Sequence, residues 1–311
     1  MAGAALLVGY AGDIALGDPR RWHPVAGFGQ VALALERRSY APSRARGAVH
    51  VLALVGLSAS GAEVVARGAR RIPLGPSLVL AVCTWAALGG RSLVREARTV
   101  ARALERDDLE AARNAIPALV GRDPSGLDAG ELCRATIESV AENTADAVVG
   151  ALVWGAIAGP AGVVAYRTAN TLDAMIGRRD ARYESFGWAA ARLDDAMSWP
   201  GARLGAVLAV ALAPIAGGSQ GAAWRVMRRD RGAHPSPNAG QIEAAFAGAL
   251  GLRLGGTLAY GGRIEHRPPL GDGRTPATVD VFRATHLSLA VGLAAALACA
   301  CLRSSLQRAR A

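Results

Sequence analysis

Residues 147–166 read AVVGALVWGAIAGPAGVVAY, without one charged side chain. The run is preceded by Glu138-Ser139-Val140-Ala141-Glu142-Asn143-Thr144-Ala145-Asp146 and followed by Arg167-Thr168-Ala169-Asn170-Thr171-Leu172-Asp173. At about 1.5 Å per helical residue it is long enough to cross a hydrocarbon core of about 30 Å. Charge-free runs of similar length extend over 72–90, 204–224 and 284–302, and a shorter one over 47–62 could span if tilted or extended. One Ala-rich run could be a buried helix of a soluble bundle, but four of them favour a membrane. No strand alternation of consequence and no internal repeat is visible. The expected fold class is all-α: a polytopic helical membrane protein with roughly four to six apolar helices and amphipathic helices in its polar connections. The whole chain, 1–311, is expected to be one integral-membrane domain at the cell membrane.

Composition narrows the chemistry. Hydrophobic residues make up 51% of the chain, and the net charge is +10 although no Lys is present, so every basic residue is Arg. Neither a P-loop lysine nor a Schiff-base lysine can exist, which excludes Walker-type NTPases and lysine-dependent enzymes. Aromatic residues are only 5% and no nucleic-acid module is recognisable, so Arg beside apolar segments is read as topological bias at a lipid surface. Cys83, Cys133, Cys299 and Cys301 form no C-x-x-C pair and read as structural thiols. The N-terminus lacks a basic region and carries Asp13 in its apolar stretch, so no cleaved signal peptide is expected.

Working outward, residues 1–17 are expected as a short apolar helix ending at Gly17-Asp18-Pro19, followed by a polar loop over 20–46. Two spans, about 47–66 and 72–90, come next, then an amphipathic pattern over 92–116 in which Leu93, Ala97, Val100 and Leu104 share a face. Asp128 with Glu131 forms a capping box opening the helix that leads into 147–166. A span over 204–224, a loop over 234–240, an Ala-rich helix from near Gln241, a loop over 266–276 and a final span over 284–302 complete the reading.

Three groups of residues can carry chemistry. Glu138, Glu142 and Asp146 recur every fourth residue, one turn after Arg134, so a helix places them in one stripe. Such a stripe is either a solvated face with an Arg–Glu pair or a set of oxygen ligands for a hard divalent cation. It ends where the apolar run begins, and carboxylates there are costly unless functional. In the second group, Arg167, Asn170 and Asp173 are aligned by their spacing of three, and Arg178, Arg192, Asp194, Asp195 and Arg203 follow. Guanidinium groups suit carboxylate or phosphate oxygens. In the third group, Ser236-Pro237-Asn238-Ala239-Gly240 precedes a helix that Asn238 could cap, and that N-terminus could equally receive a phosphate. His23 reads as structural.

A conflict of topology follows. If 147–166 were one continuous helix, Asp146 and Arg167 would lie about 30 Å apart on opposite membrane faces. Pro160 removes a backbone donor and disfavours helix at Gly159, so a turn there is expected, making the segment a broken hairpin that brings Glu142 and Asp173 to the same side. A site buried at depth between helices is the alternative.

The blocks quoted above, with His23-Pro24-Val25, Tyr183-Glu184-Ser185-Phe186-Gly187, Ala191-Arg192-Leu193-Asp194-Asp195 and Ser236-Pro237-Asn238-Ala239-Gly240, resemble the CobD/CbiB family of cobalamin biosynthesis over nearly the whole chain. One departure is Gly201, which intervenes between Pro200 and Ala202-Arg203 and could alter a loop. The resemblance implies an adenosylcobinamide-phosphate synthase. Such an enzyme is an ATP-dependent, amide-forming ligase that joins (R)-1-aminopropan-2-ol, or its O-phosphate, to a propionate of adenosylcobyric acid. ATP is then co-substrate and Mg2+ the cofactor, with membrane lipid but no nucleic acid as a partner. It implies Glu142, Asp173, Asp194 and Asp195 as catalytic residues, and Glu138, Glu142 and Asp146 as metal ligands. Arg167, Asn170, Arg178, Arg192, Arg203, Ser236 and Asn238 are implied to bind substrate or phosphate. The rival classes are a corrinoid-precursor transporter and a non-catalytic membrane sensor related to the family.

Overall fold

The computed structural model describes residues 2–18, 23–121, 123–178, 180–260 and 263–309. In chain order its helices are α1 (Ala2–Leu16), α2 (Pro24–Ser39), α3 (Arg44–Gly68), α4 (Gly75–Ala87), α5 (Gly90–Glu105), α6 (Leu109–Ala115), α7 (Ala129–Thr144) and α8 (Gly150–Ile176). They continue with α9 (Tyr183–Phe186), α10 (Trp188–Ala211), α11 (Gln220–Asp230), α12 (Ala239–Leu250) and α13 (Thr278–Arg308). A two-stranded antiparallel ribbon, β1 (Leu254–Tyr260) and β2 (Arg263–Leu270), precedes α13. Among the described residues four helical stretches are long and apolar enough to cross a membrane: Arg44–Arg71, Gly75–Glu105, Ala129–Ile176 and Thr278–Arg308. The protein is thus an all-α polytopic membrane protein, as its apolar runs require.

The chain gathers into two compact units, each assembled from segments distant in sequence. The first comprises Met1–Gly89, Asp146–Gly201 and Ala295–Ala311. Within it α1 packs on α4, and both α3 and α4 pack on α8. Ala32, Val51, Leu54, Leu172, Ile176, Phe186 and Ala190 form a buried apolar cluster. The second unit comprises Gly90–Ala145 and Ala202–Ala294, with α5 on α7, α11 on α12, and α12 on α7. In it the Asp128–Glu131 capping box forms as the sequence indicates, each side chain accepting the other residue's amide.

Four sequence expectations need correction. The loop expected over 20–46 contains α2: His23 Nδ1 accepts the Val25 amide at 3.2 Å, and Pro24 supplies a first helical residue whose missing N–H costs nothing. The helix escaped a polarity reading because Glu36 is buried, held by Arg182 at 2.9 Å and the Tyr183 hydroxyl at 3.0 Å. The span expected over 204–224 does not exist as one helix. Helix α10 ends at Ala211, Pro214 lies in a short 3-10 turn, Gly217 is left-handed at φ 74°, and Ser219 caps α11 by accepting the Ala222 amide. The loop expected over 266–276 is strand as far as Leu270, paired with Leu254, so the chain does carry a β ribbon. Finally, Gly201 lies inside α10 and in no loop.

Candidate functional site

The segment 147–166 is a hairpin. Gly159 adopts φ 66° and ψ −147°, a conformation open to glycine alone, and Pro160 begins the returning arm. The Tyr166 hydroxyl donates to the Asp146 carbonyl oxygen at 2.9 Å, whereas residues twenty apart in one straight helix lie about 30 Å apart. The arms approach closely because Gly150 lacks a side chain: a Cβ there would sit 2.3 Å from the Tyr166 hydroxyl oxygen. Gly201 serves α10 in the same way, since a Cβ on it would lie 2.7 Å from the Gly150 Cα. Asp146 and Arg167 therefore stand together at the open end of a re-entrant pair whose first arm, 147–159, is about 20 Å long and whose returning stretch, 160–166, is about 10 Å long. This is the turn that the Gly159-Pro160 reading anticipates.

At that open end the first unit assembles a polar cluster inside apolar packing. Arg167 Nη1 donates to Asn170 Oδ1 at 3.2 Å, one turn along α8. Asn170 Nδ2 in turn donates to Asp194 Oδ1 at 3.2 Å, and Ser198 Oγ donates to the same oxygen at 3.3 Å. The Tyr166 hydroxyl lies 3.4 Å from Ser198 Oγ, closing the group. Burial pushes the Asp194 carboxyl up to about 6, with the neighbouring Asp195 charge adding to the effect and the two donated hydrogen bonds opposing it.

Arg167 is the unusual member. Its Nε is buried with no hydrogen-bond partner among the described residues, and no carboxylate among them lies within ion-pair distance. Asp18 and Asp146 act on it from further away. Asp18 also faces His23 Nε2 at 3.8 Å, joining the Gly17-Asp18 turn to this end of the unit. Beside Arg167 opens a cavity of about 310 Å³ whose walls include Phe28, Val82, Cys83, Val164 and Thr168. A buried guanidinium without a carboxylate partner is costly, and an anionic ligand would offset that cost.

The other candidates of this unit lie further out. Asp173 is half-buried near the end of α8, against Gly177. Asp195 pairs with Arg192 at 3.8 Å across one turn of α10, with the Arg192 side chain 66% exposed. Arg178 is exposed beyond α8.

The second unit holds a separate polar set. Glu138 is buried, its Oε1 accepting the Gly255 amide at 2.8 Å and facing Arg134 Nε at 3.9 Å. Arg134 also donates to the Gly255 carbonyl at 2.5 Å, so this pair clamps the start of β1. Glu142, one turn on, is exposed, and a π-helical turn over Ala145–Val149 breaks the fourfold spacing before Asp146. The stripe is therefore not one face, and among the described residues no three His, Cys, Asp or Glu side chains group closely enough to hold a metal ion.

Asn238 does not cap α12. Its side-chain oxygen accepts from Arg203 Nη1, and Ser236 Oγ instead accepts the amides of Asn238 and Ala239. His234 Nδ1 accepts the Ser236 amide at 3.0 Å, while its Nε2 faces Arg267 at 2.9 Å and Glu243 at 3.9 Å.

Sequence reading passed over Tyr166, Ser198, Asp18 and the His234–Glu243–Arg267 group. Tyr166 ends a charge-free run, which was the available signal, because a buried hydroxyl requires a partner. Ser198 and Glu243 carry no local signal.

The family described as CobD/Cbib protein matches over residues 6–288. The cobalamin biosynthesis protein CobD of Mycobacterium tuberculosis (strain CDC 1551 / Oshkosh) is 51% identical over 94% of this chain and 93% of its own length. The protein of the same name from Geobacter metallireducens is 43% identical over 91% of each chain, and that from Rhizobium meliloti 41% identical over 88% of each. No solved structure matches.

Proposed function

Because the chain belongs to the CobD/CbiB family and so takes part in cobalamin biosynthesis, we propose that its step is ATP-dependent amide formation between adenosylcobyric acid and an amino alcohol. The acid supplies a propionate side chain, and the amine is (R)-1-aminopropan-2-ol or its O-phosphate. The observation that carries this reading is Arg167: a buried guanidinium whose Nε finds no acceptor among the described residues, beside a cavity of about 310 Å³, is suited to the carboxylate of a propionate side arm.

A carboxylate is a poor acyl donor. In the proposed sequence its oxygen attacks the γ-phosphorus of ATP, the bond to the ADP oxygen breaks, and an acyl phosphate results. The amine nitrogen then attacks the acyl carbon, the C–N bond forms, phosphate leaves, and the nitrogen loses one proton. Asp194, pushed up to about 6, is ionised at neutral pH yet basic enough to receive that proton. Asn170 holds both Asp194 and Arg167 and so fixes acid–base group and anion site in one geometry. Arg192, paired loosely with Asp195 at the surface, and Arg203 with Asn238 and Ser236 in the second unit are the further phosphate candidates. Mg2+, when bound, would neutralise ATP phosphate charge; Glu142, exposed on α7, is a carboxylate candidate for it in the second unit, and Asp146 is a separate candidate in the first.

The test is an amidation assay on the purified full-length chain in lipid nanodiscs, with adenosylcobyric acid, ATP, Mg2+ and each amine in turn. The expected products are adenosylcobinamide or its phosphate, with stoichiometric ADP. Failure to form an amide with either amine, combined with ATP-independent corrinoid flux into proteoliposomes, would replace the ligase with a transporter.

A further inference from the structure

The opposite end of the hairpin from Arg167 carries a second cationic cavity, within the first unit. It measures about 400 Å³ and is lined by Glu63 and Arg70 near the end of α3, Ser77 of α4, Ile157 at the hairpin tip, and Arg303 and Gln307 of α13. Arg303 Nη1 donates to the Ala156 carbonyl at 3.3 Å, and its Nη2 lies where a Cβ on Gly159 would fall, 2.8 Å away. The guanidinium therefore sits on the last turn of the first arm, where carbonyls lose their helical partners. Glu63 is ion-paired with Arg67 at 2.9 Å, and the lining carries two guanidinium groups, Arg70 and Arg303, against that one carboxylate.

The surrounding surface is apolar. On the elements that form the cavity, Val64, Val65, Ile72, Leu74, Leu78 and Leu302 are each more than 40% exposed. In a chain with membrane-spanning helices these side chains face acyl tails. A polar, net-positive recess framed by lipid-facing residues suits a molecule with an anionic head and apolar chains, and its volume is in the range of small-molecule sites.

We propose that this cavity binds the headgroup phosphate of an anionic glycerophospholipid. Arg70 and Arg303 hold the phosphate oxygens, and Ser77 and Gln307 reach the remaining headgroup oxygens. Bound there, the lipid fixes the tip of the hairpin, and through the arms' length the position of the Asp146–Arg167 end.

The test is native mass spectrometry of the full chain released from detergent, titrated with phosphatidylglycerol or phosphatidylcholine. Phosphatidylglycerol should be retained in preference, and Arg70→Gln should weaken that retention by roughly fivefold, as loss of one lipid-facing cation predicts. Arg303→Gln should act in the same direction. Arg225→Gln, on α11 of the second unit, should change nothing. Equal retention of the two lipids, an unaltered titration for Arg70→Gln, or an equal loss with Arg225→Gln would each overturn the proposal. So would displacement of phosphatidylglycerol by millimolar inorganic phosphate, which would assign the cavity to soluble anions.

Discussion

Replacing Asp194 by Asn should make the protein more stable at neutral pH, and the gain should vanish in acid. The carboxyl titrates at about 6 in the folded chain against 3.8 for an unperturbed Asp, because it is buried beside α8. At about 1.36 kcal/mol per pH unit this corresponds to a destabilisation of about 3 kcal/mol once both states are ionised. Below pH 3.8 the group is protonated in both states and contributes nothing. As pH rises toward 6 the unfolded chain ionises first, unfolding releases a proton, and stability falls; above 6 the loss is constant. Asn removes this dependence. Both donors to Asp194, Asn170 Nδ2 and Ser198 Oγ, use the same oxygen, which an amide oxygen can replace. Thermal unfolding of wild type and Asp194→Asn in the same detergent, followed from pH 4 to pH 8, is the assay. The midpoints should coincide near pH 4 and separate by about 5 °C above pH 6.5, the variant being higher. Parallel curves, or a variant less stable at pH 7.5, would refute the reasoning. The stabilised variant should also be inactive, since it cannot accept the proton released by the amine.

Arg167→Lys keeps the charge but loses the planar fork, and should raise the KM for adenosylcobyric acid at least tenfold with the KM for ATP little changed, measured by steady-state kinetics. Tyr166→Phe removes the hydroxyl that ties the returning arm to the Asp146 carbonyl; a stability loss of about 1 kcal/mol in denaturant titration is expected. Gly159→Ala forces a side chain into a glycine-only conformation and toward Arg303, so a loss on the order of 1–3 kcal/mol should appear in the same titration. Glu142→Gln should abolish amide formation while membrane insertion, followed by fractionation, stays normal, because Glu142 is exposed and is a carboxylate candidate for Mg2+.

What could be read from sequence divides along a physical line. Length and hydropathy are local quantities, so α3, α13 and the apolar run ahead of Arg167 are legible, and the turn at Gly159-Pro160 follows from backbone chemistry alone. The capping box at Asp128 is local in the same sense. Helix α2 was lost because its buried Glu36 reads as a surface charge until Arg182 and Tyr183, far along the chain, are placed against it. The ribbon was lost for a related reason: Gly255 and Gly256 open β1 and Pro268-Pro269 sit in β2, so neither strand shows clean alternation, and its anchor is the buried Glu138. Glu138 illustrates the limit of a stripe. Its spacing to Glu142 is real, but one carboxylate clamps a strand while the other faces outward, and the π turn at 145–149 moves Asp146 out of line.

The same comparison says why Arg167 is the better anchor for function. Arg178 and Arg192 are explained by exposure, and Arg134 by its contacts to Glu138 and the Gly255 carbonyl. Arg167 is buried beside a cavity, held by one neutral amide, and carries a buried donor with no acceptor among the described residues. Its position depends on three small-residue choices, Gly150, Gly159 and Gly201, which fold the apolar run back and let α10 approach it. A stable protein gains nothing from turning a membrane span into a re-entrant pair that buries a cation with no carboxylate beside it among the described residues. The arrangement becomes favourable when an anion completes it, and in the reaction proposed above that anion is the carboxylate of the acid substrate.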